Sequence, residues 1–159
     1  MQVFDYVSDN NRFGIRIPED LINKAILICN SSKKETGGIL IGDYSSDQRW
    51  ANIKDATNPP KDSKYGFSTF FRGIHGLKEL LDYEWKNNGC YYIGEWHYHP
   101  KVLPHPSPKD IRQMILFSKD YELKCPEPIL LIIGGDKSFG WSYSLNIIVQ
   151  NEVINLKKI

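Results

Sequence analysis

Two histidines near the middle of the chain have the residue type and the spacing of metal ligands. His97 and His99 stand two residues apart in the run YYIGEWHYH, which has the aromatic-rich composition of a β-strand. Side chains two apart on a strand project from the same face, so both imidazoles point at one spot. Burying such a pair without a shared partner would be costly. The strand therefore predicts a metal site with two imidazole ligands.

A third ligand is predicted from the segment that follows this strand. Prolines from Pro100 to Pro108 keep the segment extended and non-helical. Ser107 is a natural N-cap and Pro108 suits the first helical position, so Asp110 is expected in the first turn of a helix. Two imidazoles and one carboxylate can bind Zn²⁺ and leave a fourth position open. Such a zinc ion keeps a net positive charge, which would polarise a carbonyl group and acidify a water molecule.

Hydrolysis at such a metal also needs a base that is not a ligand, and two glutamates qualify. Glu95 has the strand parity to share a face with the histidines. Glu35 precedes Gly37 and Gly38, where the lack of side chains lets a strand backbone approach another element closely. Spacing favours Glu35 only slightly, so both glutamates stay open at this point. His105 is interpreted as a packing or surface residue, and it lies near enough to the predicted ligands to hold one of them in position.

The elements that must position these groups indicate a mixed α+β domain. No internal repeat or low-complexity segment divides residues 1–159, which predicts a single domain. Gly73 and Gly76 weaken the first half of one predicted helix. Helical spacing and capping signals predict helices at 19–30, 69–88 and 108–120, and strand patterns predict strands at 2–7, 13–17, 39–41, 49–57, 91–98, 129–133, 140–145 and 147–156.

The composition is that of an ordinary globular protein, with 41% hydrophobic and 25% charged residues. A net charge of +1 without a basic stripe argues against nucleic acid or a membrane surface as a partner. No apolar run could span a bilayer and the N-terminus lacks a signal-peptide pattern, so a cytoplasmic location is expected. Cys29, Cys90 and Cys125 form no CxxC pair and are expected to be free, buried thiols.

The full set of positions resembles the JAMM (MPN-plus, JAB) metalloprotease motif. Glu35 precedes Gly-Gly and a buried strand, the tetrapeptide HYHP begins at His97, and Ser107 and Asp110 follow at the matching distances. The resemblance covers nearly the whole chain. It implies a JAB/MPN-like (cytidine-deaminase-like) fold, a mixed β-sheet flanked by helices.

The resemblance also implies the role of each matching residue. In that family the positions of His97, His99 and Asp110 bind zinc, the position of Glu35 is the general acid/base, and the position of Ser107 hydrogen-bonds the oxyanion. One departure is Tyr98, where many eukaryotic members carry a small hydroxyl residue. By strand parity Tyr98 points away from the metal, so it is expected to affect packing rather than chemistry.

The run GEWHYHP is most similar to the bacterial branch of the family, including the deconjugating proteases encoded beside enzymes of cyclic-oligonucleotide anti-phage signalling (CBASS). This implies a zinc-dependent (iso)peptidase that cleaves after the C-terminal tail of a ubiquitin-like protein or of a CD-NTase, the nucleotidyltransferase of such systems. The tail would be released from its conjugated target or from a precursor. Two alternatives remain open: a peptidase acting on a sulfur-carrier protein in a biosynthetic operon, and a non-catalytic MPN scaffold. The oligomeric state stays open as well.

The two walls of the groove for such a tail are expected at residues 61–88 and 101–106. Four aromatic residues in the first range are candidates to hold the extended tail, namely Tyr65, Phe67, Phe70 and Phe71. Core packing is the favoured role for Phe70 and Phe71.

Overall fold

A closed barrel of eight strands forms the centre of the fold. The computed structural model describes all residues, Met1–Ile159. The helices and strands are β1 Val3–Val7, β2 Gly14–Pro18, α1 Glu19–Asn30, β3 Gly37–Tyr44, β4 Trp50–Ala56, β5 Lys64–Tyr65, β6 Phe70–Phe71, α2 Leu77–Asn88, β7 Tyr91–Pro100, α3 Pro108–Ser118, β8 Ile129–Asp136, β9 Gly140–Val149 and β10 Glu152–Lys158. Around the barrel the order is β1-β10-β9-β8-β7-β3-β4-β2, while β5 and β6 form a separate two-stranded hairpin.

The predicted α+β class is confirmed, and the mixed sheet closes on itself, which the sequence did not predict. Only β2–β4 and β7–β8 pair in parallel, and the remaining neighbours are antiparallel. Closure leaves no unpaired edge in the main sheet. None of the three helices is long and apolar enough to cross a bilayer.

The barrel strands bury both of their faces. Inward-facing side chains such as Trp96 and Leu131 join residues of α1 in a core cluster of 20 buried residues. On the outer face, Leu130 and Ile132 of β8 pack against Met114 of α3. Because both faces are covered, β8 is a continuous apolar run in the sequence rather than an alternating one. The helix α2 covers a second outer cluster of Ile39, Ile41, Cys90, Tyr92 and Cys125, and all three cysteines are free and buried, as predicted.

A β-bulge in β7 decides which way the histidines face. Ile93 has no partner in the pairing of β7 with β3. Because of this extra residue, the side chains that follow it in β7 lie on the opposite faces from those that unbroken alternation would give. From residue 95 to residue 99 the odd positions point outward and the even positions point into the core. The Tyr98 hydroxyl donates to the Gly135 carbonyl at 2.8 Å, and its ring lies 5.7 Å from that of Trp141. The prediction that Tyr98 points away from the histidines is confirmed.

The helix predicted at 69–88 is wrong over its first half. The helix α2 begins only at Leu77, because Gly76 before it has a left-handed φ of 79°. Upstream, the Asp62 carboxylate accepts hydrogen bonds from two backbone N–H groups of the preceding turn, at 2.8 and 3.1 Å. The aromatic residues that mimicked helical spacing belong to the β5–β6 hairpin.

The chain also reverses later than predicted between the last two strands. The expected break at residue 146 is wrong, since β9 continues to Val149 and the turn lies at Gln150 and Asn151, with φ of 48° and 67°. Positive φ at both central residues is the requirement of a type I′ hairpin turn. Asn146 is tolerated inside β9 because its side-chain amide donates to the Leu130 carbonyl at 3.2 Å.

Gly37 and Gly38 begin β3 where it presses against two other backbones. A Cβ at Gly37 would lie 2.2 Å from the Trp96 carbonyl oxygen, and one at Gly38 would lie 2.3 Å from that of Thr57. Both distances are too short for any side chain. The close approach predicted at these glycines is therefore confirmed, and it brings Glu35, two residues before Gly37, toward β7.

Gly38→Ala is expected to lower the free energy of unfolding by about 1–3 kcal/mol, because the added methyl group must push a backbone carbonyl aside. Urea unfolding would show this as a lower midpoint. Lys33→Ala, at an exposed position of the same segment, is the control and should leave the midpoint unchanged. A wild-type midpoint in Gly38→Ala would mean that β3 can move away from Thr57 without cost.

Candidate metal centre

The carboxylate of Asp110 bridges the two imidazoles. His97 Nδ1 lies 2.9 Å from Asp110 Oδ1, and His99 Nε2 lies 3.0 Å from Asp110 Oδ2. All three residues are buried, with 7–8% of their surface exposed. The outer face of β7 and the first turn of α3 thus place the three predicted ligands side by side.

The N-terminal cap of α3 sets the position of Asp110. The Ser107 hydroxyl oxygen accepts a hydrogen bond from the Asp110 backbone N–H at 3.1 Å, and the Ser107 backbone N–H donates to Asp110 Oδ2 at 2.8 Å. This reciprocal pair is a capping box, and Pro108 occupies the first helical turn as predicted. The cap therefore orients the same carboxylate that the imidazoles share.

The charges in this cluster stabilise one another. Burial raises the pKa of Asp110, but hydrogen bonds from His97, His99 and the Ser107 backbone outweigh it, so the pKa ends far below its ordinary value. Burial lowers the pKa of His99, yet the hydrogen bond and charge of Asp110 outweigh it and raise the pKa overall. The backbone of His105 also hydrogen-bonds His99 while its own side chain is exposed. Support of a ligand imidazole by a backbone group is common in metal sites.

The donor set suits zinc, although the donors contact one another directly. Two ligands about 2.0–2.1 Å from a tetrahedral zinc ion stand roughly 3.3 Å apart. The imidazole–carboxylate separations of 2.9 and 3.0 Å are somewhat shorter, and no group of three or more His, Cys, Asp or Glu side chains is arranged to hold a metal ion as it stands. For zinc to bind between them, these donor atoms would have to move apart. Two buried imidazoles and one ionised carboxylate are nonetheless a chemically suitable ligand set.

Glu35 lies beside this cluster at the start of β3. It lines a cleft of about 170 Å³ together with His97, Ser107 and Asp110. Burial raises the pKa of the Glu35 carboxyl group, and the negative charge of Asp110 raises it further. The charges of His99 and His97 lower this pKa, but the net shift is upward. A carboxylate with a raised pKa is a better proton acceptor near neutral pH.

Glu95, the second candidate base from the sequence, is engaged elsewhere. Its side chain is fully buried and forms an ion pair with Arg72, with 2.5 Å between Arg72 Nε and Glu95 Oε1. It does not line the cleft that contains Glu35. Sequence reasoning missed Arg72, because no local pattern reveals a contact across 23 residues.

The cleft has one predicted wall and one unexpected wall. The β5–β6 hairpin forms the first, within the predicted range 61–88, and the start of α3 forms the second instead of 101–106. The 101–106 segment packs on β9, where the Ser144 hydroxyl donates to the Pro104 carbonyl at 2.5 Å. A larger groove of about 710 Å³, between α2 and residues 122–127, contains none of the predicted site residues.

The two phenylalanines of β6 differ in their environment. Phe70 is half-buried and packs edge-on against the His97 ring, with 5.9 Å between ring centroids. Phe71 is 65% exposed, so the favoured core role is wrong for this residue. Neither side chain belongs to the three core clusters.

Comparison with known protein families identifies the domain. Residues 24–146 match the family described as prokaryotic homologs of the JAB domain, a range that includes every candidate site residue. The chain belongs to this family. The family membership predicted from the motif is thereby confirmed.

Relatives of this JAB-domain protein carry a common name. It is 38% identical over 156 residues to a protein of Enterobacter hormaechei subsp. hoffmannii (strain UCI 50) named "CD-NTase/cGAS isopeptidase", covering 97% of this chain and 86% of the relative. A protein of Escherichia coli (strain TW11681) with the same name is 31% identical over 126 residues, covering 78% of this chain and 74% of the relative. A solution structure of a protein from Desulfitobacterium hafniense shares the fold, with a TM-score of 0.56, 18% identity and coverage of 89% and 86%.

Asp110→Asn in this JAB-domain protein is expected to abolish stoichiometric zinc binding, because an amide is a weaker zinc ligand than a carboxylate. Elemental analysis of protein purified from zinc-supplemented medium would measure this. Asp120→Asn is the matched control: this aspartate follows α3 and accepts a backbone hydrogen bond at 2.8 Å, but lies outside the cluster. Full zinc content in Asp110→Asn would place the metal elsewhere.

Proposed function

We propose that this protein is a zinc-dependent isopeptidase that cleaves after the C-terminal tail of a CD-NTase-type or ubiquitin-like modifier. The tail would be released from a conjugated target protein or from a precursor, as part of bacterial anti-phage defence. The observation that carries this proposal is the single cleft that contains Glu35, Ser107 and two of the three candidate ligands. The shared name of the two relatives favours a CD-NTase tail over a sulfur-carrier protein.

The proposed ligands are His97, His99 and Asp110, which already converge through their hydrogen bonds. When bound, zinc would polarise the scissile carbonyl group and favour ionisation of the attacking water. Glu35 is not a ligand in this scheme. It accepts the proton of the water and later gives it to the leaving amine, and its raised pKa suits both transfers.

Ser107 supplies a hydrogen-bond donor at the same place. Its oxygen accepts a hydrogen bond from the Asp110 backbone N–H, which leaves its own hydroxyl proton free to donate. The residue also lines the cleft. A fixed donor there stabilises the negative charge that develops on the carbonyl oxygen during attack.

The position of the cleft suits the end of an extended chain. The cleft of about 170 Å³ lies between the hairpin and α3, where an extended backbone can enter. Lys64 and Lys109 line the cleft and give it a positive rim.

Glu35→Gln is expected to lower kcat/KM by about 10²–10⁴-fold, because the amide cannot accept the proton of the water. The substrate is a CD-NTase tail joined by an isopeptide bond to a lysine of a target protein. Zinc content and melting temperature should stay at wild-type values. Glu152→Gln, a change at the exposed first residue of β10, is the control. Wild-type activity in Glu35→Gln would exclude Glu35 as the base.

Ser107→Ala is expected to lower kcat by about 10²–10³-fold through loss of the donor. It should also lower stability by about 1 kcal/mol through loss of the helix cap. Ser107→Thr keeps a hydroxyl group for both roles and should recover most of each. Steady-state kinetics and thermal melting of the two variants measure the two effects separately. A variant Ser107→Ala that melts earlier but keeps its kcat would limit Ser107 to the cap.

A further inference from the structure

Arg72 and Glu95 form an ion pair that is shielded from water next to the metal centre. Their side chains are 9% and 0% exposed. The guanidinium group also lies 5.1 Å from the ring centroid of Phe117 in α3 and donates to the Gly73 carbonyl at 2.8 Å. The second carboxylate oxygen, Glu95 Oε2, is buried with no hydrogen-bond partner. Removing two charges from water costs free energy, and apolar residues at such a position often stabilise a protein at least as much as the ion pair does. Stability alone therefore does not account for this pair.

The ion pair is one of two parallel contacts between residues 70–72 and strand β7. Phe70 and Arg72 are two residues apart, and so are His97 and Glu95 on the outer face of β7. The Phe70 ring packs against the His97 ring with an interplanar angle of 78°, while Arg72 reaches Glu95. Anchoring Arg72 therefore holds the backbone that carries Phe70 over an imidazole of the metal centre.

The β5–β6 hairpin has few other attachments. Each of its strands has two residues, and it is not part of the barrel. At its tip the Gly66 carbonyl accepts a hydrogen bond from the Glu35 backbone N–H at 3.1 Å. Beyond β6, the backbone bonds to the side chains of Ser63 and Asp62. Because an isolated two-stranded hairpin is marginally stable, a buried anchor to β7 determines where this wall stands.

We propose that Arg72 and Glu95 are positioning residues for the hydrolytic reaction. The pair fixes the β5–β6 hairpin, and with it Phe70, as a rigid wall that orients the extended tail between His97 and Glu35. Neither residue touches the reacting atoms. This role rests on the proposed isopeptidase function. Neither residue is one of the five motif positions, which are Glu35, His97, His99, Ser107 and Asp110.

The decisive variant is the double change Arg72→Met with Glu95→Met. Either single change leaves a buried charge or polar group unpaired and can prevent folding, whereas the double change removes both charges at similar volume. We expect kcat/KM of the double variant to fall about 10–100-fold, mainly through a higher KM, because the tail is no longer held in one orientation. Zinc content and melting temperature should remain close to those of the wild type.

The matched control is Lys24→Met with Asp55→Asn, which removes a half-exposed ion pair of 2.8 Å that does not line the cleft. It should leave kcat and KM unchanged. Where the single variants fold, each should lose about as much kcat/KM as the double variant, because the two residues act as one unit. A double variant with wild-type kcat/KM would overturn the positioning role.

Hydrogen exchange without substrate gives a readout that does not depend on catalysis. In the double variant, the amides of Gly73, Ile74 and His75 should exchange at least about tenfold faster, while those of β7 stay protected. If the wild type cleaves no conjugate, the proposed function fails and exchange alone decides whether the pair anchors the hairpin. Unchanged exchange at these three amides would overturn the anchor in either case.

Discussion

The shared carboxylate of Asp110 is the interaction on which the candidate site depends. It accepts hydrogen bonds from two imidazoles of β7 and from the backbone N–H of Ser107, the N-cap of α3. A buried carboxylate without such partners would be strongly unfavourable. The helix cap and the strand histidines therefore hold one another in place. Since the same atoms are suitable zinc ligands, the contact that joins β7 to α3 also brings the candidate metal ligands together.

The site combines a rigid part with a more loosely attached part. The histidines lie on a strand that is paired on both sides and packed on both faces, and Glu35 is brought near by two glycines that touch other backbones. The opposite wall is a hairpin of two-residue strands outside the barrel. Catalytic groups on a rigid scaffold and substrate contacts on a connecting segment are a common division of roles.

The five motif positions are adjoined by residues that the motif does not include. Glu35, His97, His99, Ser107 and Asp110 all fall in the range that matches the prokaryotic JAB-domain family. Phe70, Arg72 and Glu95 lie beside them without belonging to the motif, and of these three only Phe70 lines the cleft. Under the proposed function, the hairpin wall would contact the modifier tail.

The sequence by itself determined the elements that carry local signals. The helix at 19–30, the cap at Ser107 and the common face of His97 and His99 could be predicted, because capping and strand alternation act over a few residues. Only the tertiary structure decided that the sheet closes, that 69–76 is not helical, and which glutamate faces the cleft. Spacing left Glu35 and Glu95 almost equal, and the difference is a buried contact of Glu95 with Arg72, 23 residues away in the chain. Packing of the hairpin segment against β7 brings these distant groups together, and no local pattern in the sequence records which charge will be paired.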